Sequence, residues 1–286
     1  SSSSTSSSSE DSTTSSSNSW IIDSNGQVTK AAEQATFEET PYYQVTQADR
    51  DPLMYARVFS RNDYPARRSG EVIVLSDYLD PLAKPRRSFS YTPGQRRVKL
   101  APEFAFDTPV ASQGGVTLFD ELQMFSGSQE RFDYKLVGRK EMYIPNNAYK
   151  FYFDCKQDEQ FLANHANPQC ERWELHRVWV VEATLKPGKR HVYGKRTYYL
   201  DEDTFGVGLY DAWDKNNALY RSMFLSGVQI YDKDIPYNVK NVIYDFNKGM
   251  YALVNDGLKG GYKFVDTPLS EREMKPEAIV SRVTQR

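Results

Sequence analysis

From residue 50 onward, apolar and polar positions alternate with a period of two, broken at short intervals by Pro, Gly, Asn and Asp. That is the pattern of antiparallel strands joined by tight turns. Residues 71–78 (EVIVLSDY), 87–91 (RSFSY) and 96–100 are strand candidates, the last two separated by the turn Thr92-Pro93-Gly94-Gln95. Residues 116–125 break the pattern. Their apolar side chains fall at 118, 119, 122 and 125, a helical spacing that predicts one short amphipathic helix. Strands resume at 132–144 and lengthen at 172–185 (RWELHRVWVVEATL), whose centre is apolar on both faces and so predicts cover on both sides. Further strands are expected at 190–200, 205–213, 219–231, 240–246 and 250–254. Parallel pairing would need crossover segments of a dozen residues or more, and the short turns leave no room for them. Ser270 and Glu273 resemble a capping box, with Pro276 positioned to start a last helix over 277–283. The fold class read from this pattern is mainly β with minor α. So many long strands predict a strongly curled antiparallel sheet rather than a flat one.

The first residues behave differently. Thirteen of the first 19 are Ser and no apolar residue precedes Trp20, so residues 1–19 are expected to be disordered. No initiator Met and no signal-peptide pattern is seen, and the chain reads as a processed or trimmed piece. The domain reading is therefore 1–19 disordered, 20–49 irregular and 50–286 a single β domain. Composition narrows the function classes. The 36 Lys and Arg against 38 Asp and Glu give no basic field for nucleic acid, and no apolar run reaches the ~20 residues of a membrane-spanning helix.

Catalytic templates come up short: there is no nucleophile elbow, no His-Glu-x-x-His and no phosphate loop. His176 shares a strand face with Glu174 and Glu182, which reads as a polar row or, less readily, an acid/base pair; His165 and His191 lie elsewhere. No metal, cofactor or catalytic residue is assigned. Cys155 and Cys170 flank a polar, Asn-rich segment. They close a disulfide loop in an oxidising compartment or stand as unrelated thiols in a reducing one, and the spacing favours the bridge. Two Pro-Gly hairpins carry basic clusters, Lys84, Arg86, Arg87, Arg96, Arg97 and Lys99 in one, Lys186, Lys189, Arg190, Lys195 and Arg196 in the other. Such clusters dock anionic headgroups or an acidic partner, or they simply protect sheet edges, and the balanced total charge favours edge protection.

The runs KLVGRKEMYIPNNAYKF (135–151) and ERWELHRVWVVEATLKPGKRHVYGKRTYYLDEDTF (171–205), with RSGEVIVLSDYLDPLAKPRRSFSYTPGQRRVKLAPEFAFDTP (68–109) before them, resemble the bacterial domain-of-unknown-function family 1329. The resemblance covers residues 50–285. It implies an exported Gram-negative protein of the periplasm or the inner face of the outer membrane. It further implies a curled half-barrel similar to the Lol lipoprotein carriers, with short helices on its concave side, and the company of an RND-type exporter. No catalytic residues carry over, so the implied role is non-enzymatic. On that footing the 20 Tyr and 15 Phe acquire a second meaning. Trp173, Trp179, Tyr193, Tyr198, Tyr210, Trp213, Tyr220 and Phe224 lie on successive strands and are the candidate contacts for a lipid or other hydrophobic ligand. The competing reading is an ordinary aromatic core. A structural adaptor between exporter and outer membrane is the alternative function.

Overall fold

A computed structural model describes residues 12–44, 51–232, 235–256 and 263–264, and the single positions 272, 275 and 278. Fourteen strands are present in it: β1 Ser12–Ile22, β2 Val28–Glu39, β3 Met54–Tyr64, β4 Val72–Tyr78, β5 Arg87–Thr92, β6 Arg97–Leu100 and β7 Phe132–Pro145. They continue as β8 Trp173–Leu185, β9 Lys195–Asp201, β10 Val207–Trp213, β11 Leu219–Ile230, β12 Ile235–Asp245, β13 Met250–Asp256 and β14 Lys263–Phe264. The strand pairings described are antiparallel, as the alternation predicted, and the terminal strands β6 and β7 are each paired on one side, so the sheet is unclosed, as the family resemblance implied. The helix expected at 277–283 lies almost wholly outside the described residues.

Two compact units make up the chain, a smaller one of residues 1–17, 33–104 and 258–286, and a larger one of 18–32 and 105–257. In the smaller unit the strand order is β6-β5-β4-β3-β2. In the larger it is β1-β13-β12-β11-β10-β9-β8-β7, a run of hairpins from β7 to β13 with β1 added at the far side.

The Ser-rich start corrects the sequence reading. Of the residues expected to be disordered, 12–19 belong to β1, whose Thr13 and Thr14 pair with β14 and whose Trp20, Ile21 and Ile22 pair with β13, while 1–11 lie outside the described residues. The ladder is made of main-chain groups, which composition does not report. Ser17 and Ser19 are buried. Likewise the segment 20–49, read as irregular, carries β2.

In the larger unit the period-two pattern sorts two cores. Met223, Leu225, Ile243, Ala252 and Val254 point to one side, where they meet Val116, Leu118 and Met124. Phe224, Val242, Tyr251 and Leu253 point to the other, where Phe151, Cys155, Ala166 and Cys170 cover them. Double cover thus falls on β11, β12 and β13; of residues 172–185, where it was expected, Ala183, Val181 and Leu185 join the first core and none joins the second.

The amphipathic helix predicted at 116–125 is not there; only a single 3-10 turn, Leu122–Met124, is helical. Residues 116–121 are all buried, polar Thr117, Asp120 and Glu121 included, so the apolar spacing recorded burial rather than a stripe. Its backbone is held by Val110 N–H on Thr117 O at 2.8 Å and Phe119 N–H on Thr108 O at 3.0 Å. Gln123 and Met124 adopt positive φ of 51° and 75°, which ends any helix.

The opposite face is closed by a disulfide between Cys155 and Cys170, with Cα atoms 5.6 Å apart. Under this loop Lys240 is 1% exposed; its Nζ donates to Phe151 O at 2.6 Å and Gln160 Oε1 at 2.9 Å, and pairs with Asp256 at 2.8 Å. Beside it, Glu171 accepts from Ser226 Oγ at 3.0 Å, while its second oxygen is buried without a partner. Burial outweighs the Ser226 bond and the nearby Lys240, and the carboxyl is pushed up from 4.5 to about 7. Between those values the folded chain keeps a proton that the unfolded chain has released, so this group lowers stability as pH rises. Glu171→Gln is expected to stabilise the protein by about 2 kcal/mol at pH 8 and by nothing measurable at pH 4. Urea titrations at the two pH values check this, and an equal effect at both would count against it.

Candidate functional site

Cross-strand register builds the site in the smaller unit. Arg57, Ser76 and Arg87 stand opposite one another on β3, β4 and β5. Two residues further along, on the same face, stand Phe59, Val74, Phe89 and, on β6, Leu100. The next row is Arg61, Val72, Tyr91 and Val98. Because strand side chains share a face at every second residue, the sequences RVFSR, VIVLS and RSFSY place a basic row beside apolar ones. Val72, Val74 and Tyr91 are buried, with Phe37, Phe59, Phe89 and Val98 packed partly over them.

Above this face lies a cavity of about 1010 Å³. Its floor is Met54, Val74, Phe89, Val98 and Leu100, and Leu100 remains 64% exposed. Around the floor stand Arg57, Lys84, Arg87, Arg97, Lys99 and Lys275, with Asp51 the single acid lining it among the described residues. Lys84 pairs with Asp51 at 2.6 Å and sits 4.0 Å over the Tyr78 ring. Arg57 donates its Nε to Glu39 at 2.6 Å in a buried pair. Arg87 lies 4.9 Å over the Phe89 ring. Arg86 takes no part, since its Nε and Nη2 reach Asp77 at 2.7 and 2.8 Å and its Nη1 reaches Phe104 O at 3.5 Å. Four of the six basic residues of the first hairpin thus gather at one cavity, an arrangement the sequence reading had ranked below edge protection.

The aromatic residues singled out in the sequence lie in the larger unit. Tyr193, Tyr198 and Tyr210 are packed in its core. Their hydroxyls serve buried charges: Tyr210 donates to Glu121 at 3.1 Å, Tyr193 accepts from Arg221 at 2.9 Å, and Tyr198 accepts from Arg196 at 3.3 Å. Burial holds all three phenols above their ordinary pKa. Tyr220 packs edge-on against Tyr193 at 5.5 Å, and Trp173 edge-on against Phe224 at 5.2 Å. Trp179 lies under Arg139 at 4.8 Å and Trp213 under Lys195 at 4.1 Å. Trp213 also lines a hollow of about 400 Å³ with Lys140, Val180, Glu182, Lys195 and Tyr199. The structure therefore distributes the eight residues over core, rim and surface instead of one shared lining.

The histidines are engaged separately. His176 Nδ1 lies 3.0 Å from Asp201 and Nε2 3.3 Å from Glu174. Burial works against the charged ring, but these bonds outweigh it and raise its pKa above 6.5. His176, Asp201 and Asp203 offer donor atoms within 4.8 Å of one another, yet both ring nitrogens already face carboxylates, which describes an ion-pair centre. His191 is buried, 3.1 Å from Asp120, and accepts from Tyr193 N–H at 3.1 Å. His165 contacts Ala166 O at 2.9 Å.

Comparison with known proteins agrees with the fold. The family model described as "Protein of unknown function (DUF1329)" matches residues 4–279. An uncharacterized protein of Pseudomonas aeruginosa is 34% identical over 266 residues, covering 91% of this chain, and the chain spans 58% of that relative's length. Among solved structures, a putative outer membrane lipoprotein-sorting protein domain from Vibrio parahaemolyticus superposes with a TM-score of 0.62 at 12% identity, over 95% of this chain and 92% of its own. A DUF1329 family protein from Desulfovibrio piger gives 0.59 at 15% identity, over 96% and 92%. A LolA superfamily protein from Nitrosomonas europaea gives 0.52 at 10% identity, over 94% and 91%.

Proposed function

The chain belongs to the DUF1329 family, and from that premise and the cavity of its smaller unit we propose that it is a non-enzymatic carrier of a hydrophobic molecule. The cavity is the observation that carries the reading: about 1010 Å³ over an apolar floor that stays open to a ligand. Each methylene buried there contributes about 0.8 kcal/mol, so an acyl chain laying down about eight gathers roughly 6 kcal/mol before ordering costs. That is enough for capture and weak enough for hand-over. The LolA-like fold supports a sorting or carrier role in the periplasm. The Cys155–Cys170 bridge suits an oxidising compartment, and among the described residues no helix is long and apolar enough to cross a membrane. We assign an RND-type exporter as the partner that receives or supplies the cargo.

An adaptor role without cargo is favoured by one observation, the exposed Leu136, Val137 and Tyr143 along the terminal strand β7. The test separates the two. N-phenyl-1-naphthylamine fluorescence should rise on binding, and Val98→Asp should weaken that binding at least about tenfold, the effect of one buried charge on an apolar floor. Near-UV circular dichroism controls for folding. Absence of dye uptake, together with no amphiphile in organic extracts of the protein purified from its host, would sink the carrier reading and leave the adaptor.

A further inference from the structure

We propose that the cargo of this cavity is an anionic amphiphile, with its chain on Val74, Phe89 and Val98 and its negative head held by Arg87 and Lys275. The inference rests on the carrier reading and adds the charge class of what is carried.

The argument is one of charge left over. Among the described residues, six cations and one carboxylate line the cavity. Lys84 is matched by Asp51, and Arg57 by Glu39. Arg87, Arg97, Lys99 and Lys275 have no carboxylate in ion-pair reach among the described residues; Arg87 meets only the Phe89 ring. The chain as a whole carries a formal charge of −2, so this is a local segregation of positive charge rather than general basicity. Protection of a sheet edge accounts for cations on β6, the terminal strand. It does not account for Arg87, which sits on β5 with β4 and β6 paired on either side and lines the cavity.

The cations also stand beside apolar surface instead of in open water. A charge near a low-dielectric wall attracts an anion more strongly than the same charge on a convex surface. Guanidinium groups match phosphate or carboxylate oxygens in a two-pronged geometry, and a lysine adds a point charge. A neutral or zwitterionic amphiphile would use the floor and leave the rim unanswered. An inorganic anion would use the rim and leave Val74, Phe89, Val98 and Leu100 uncovered. An amphiphile with a negative head uses both.

The experiment titrates the full chain with two lysolipids of the same acyl length, lysophosphatidylglycerol and lysophosphatidylcholine, below their micellar concentrations. Displacement of N-phenyl-1-naphthylamine is the readout. The anionic lipid should bind about tenfold tighter in low salt, a modest yield from two or three near-surface cations. The preference should fall to about twofold or less in 0.5 M NaCl, where the screening length is only a few Å. Arg87→Gln should abolish most of the preference, read as the ratio of the two affinities, whereas Arg97→Gln/Lys99→Gln, whose register on β6 sets them off the face of Phe89 and Leu100, should change that ratio by less than about twofold. Adding Lys275→Gln to Arg87→Gln should remove the remainder.

Equal affinity for the two lipids would overturn the inference while the carrier reading stands. Binding of neither would remove both. A preference untouched by the substitutions would overturn the assignment of these residues. Inorganic phosphate competing as strongly as the lysolipid would reduce the cavity to an anion site. Polyglutamate competing more strongly than the lysolipid would assign it to an acidic peptide. Either of those results also overturns the proposal.

Discussion

Arg221→Met is expected to lower the unfolding free energy by about 3–5 kcal/mol, the cost of breaking a buried ion pair by removing one partner. Arg221 lies on β11 and is 2% exposed. One of its terminal nitrogens donates to Glu121 at 3.1 Å and to the Tyr193 hydroxyl at 2.9 Å; the other reaches Asp245 at 3.3 Å and Gly115 O at 3.4 Å. Glu121 and Asp245 both have fully buried side chains. Methionine fills much of the volume but supplies no charge, so two carboxylates are left in a low-dielectric interior. Glu121 keeps the Leu118 N–H at 2.9 Å and the Tyr210 hydroxyl at 3.1 Å, which softens the loss without neutralising it.

The signature is coupling. Glu121→Gln/Arg221→Met should cost less than the sum of the single changes, by about 1–3 kcal/mol, because the second change removes the charge the first one stranded. Urea unfolding followed by tryptophan fluorescence, with the slope held constant, measures all three. A single-variant loss under about 1 kcal/mol, or strict additivity, would show that Arg221 is not the counter-charge of this core.

The network around Arg221 also explains what the sequence could and could not tell. Strands β4 to β13 were legible because their alternation reports burial directly, and most boundaries fall within two residues of the pattern. The exceptions have causes. Residues 190–194 were read as the start of β9, but His191 and Tyr193 turn inward to the buried charges and the strand begins at Lys195. Residues 116–125 were read as a helix because a run buried at six successive positions, 116–121, mimics any periodicity.

The Ser-rich β1 was illegible for the opposite reason: its support comes from main-chain partners on β13 and β14, more than 200 positions away in the chain. The aromatic residues were correctly seen as a concentration, but residue type alone does not say which tyrosine faces a cavity and which satisfies a buried arginine. The cavity itself needed only register. Its signal, a basic residue two places before an aromatic one in both RVFSR and RSFSY, was in plain sight, and the total charge balance obscured it.

The second large effect concerns the loop on the other face. Cys155→Ser/Cys170→Ser is expected to cost about 3 kcal/mol, the loop-closure entropy of a bridge spanning 15 positions. Part of that loss should be local, because the loop is the cover of one core. Phe151, Ala166 and the two half-cystines pack on Val242, Tyr251 and Leu253. The loop also gives Lys240 two of its three Nζ partners, Phe151 O and Gln160 Oε1, leaving Asp256 as the third. Burial already holds the Lys240 pKa below 10.5, against the pull of Asp256. An opened loop would admit water to the ammonium and relieve that depression, so the variant gives up packing but not a stranded charge.

Two consequences follow from that asymmetry. Proteolysis should concentrate at residues 156–169 in the variant, and amide exchange should accelerate on β12 and β13 before it does on β9 and β10. Reducing the native protein with dithiothreitol should reproduce both. Cleavage sites unchanged from the native protein, or exchange that rises evenly over all strands, would show that the bridge acts on the unfolded chain alone and that the loop covers its core without it.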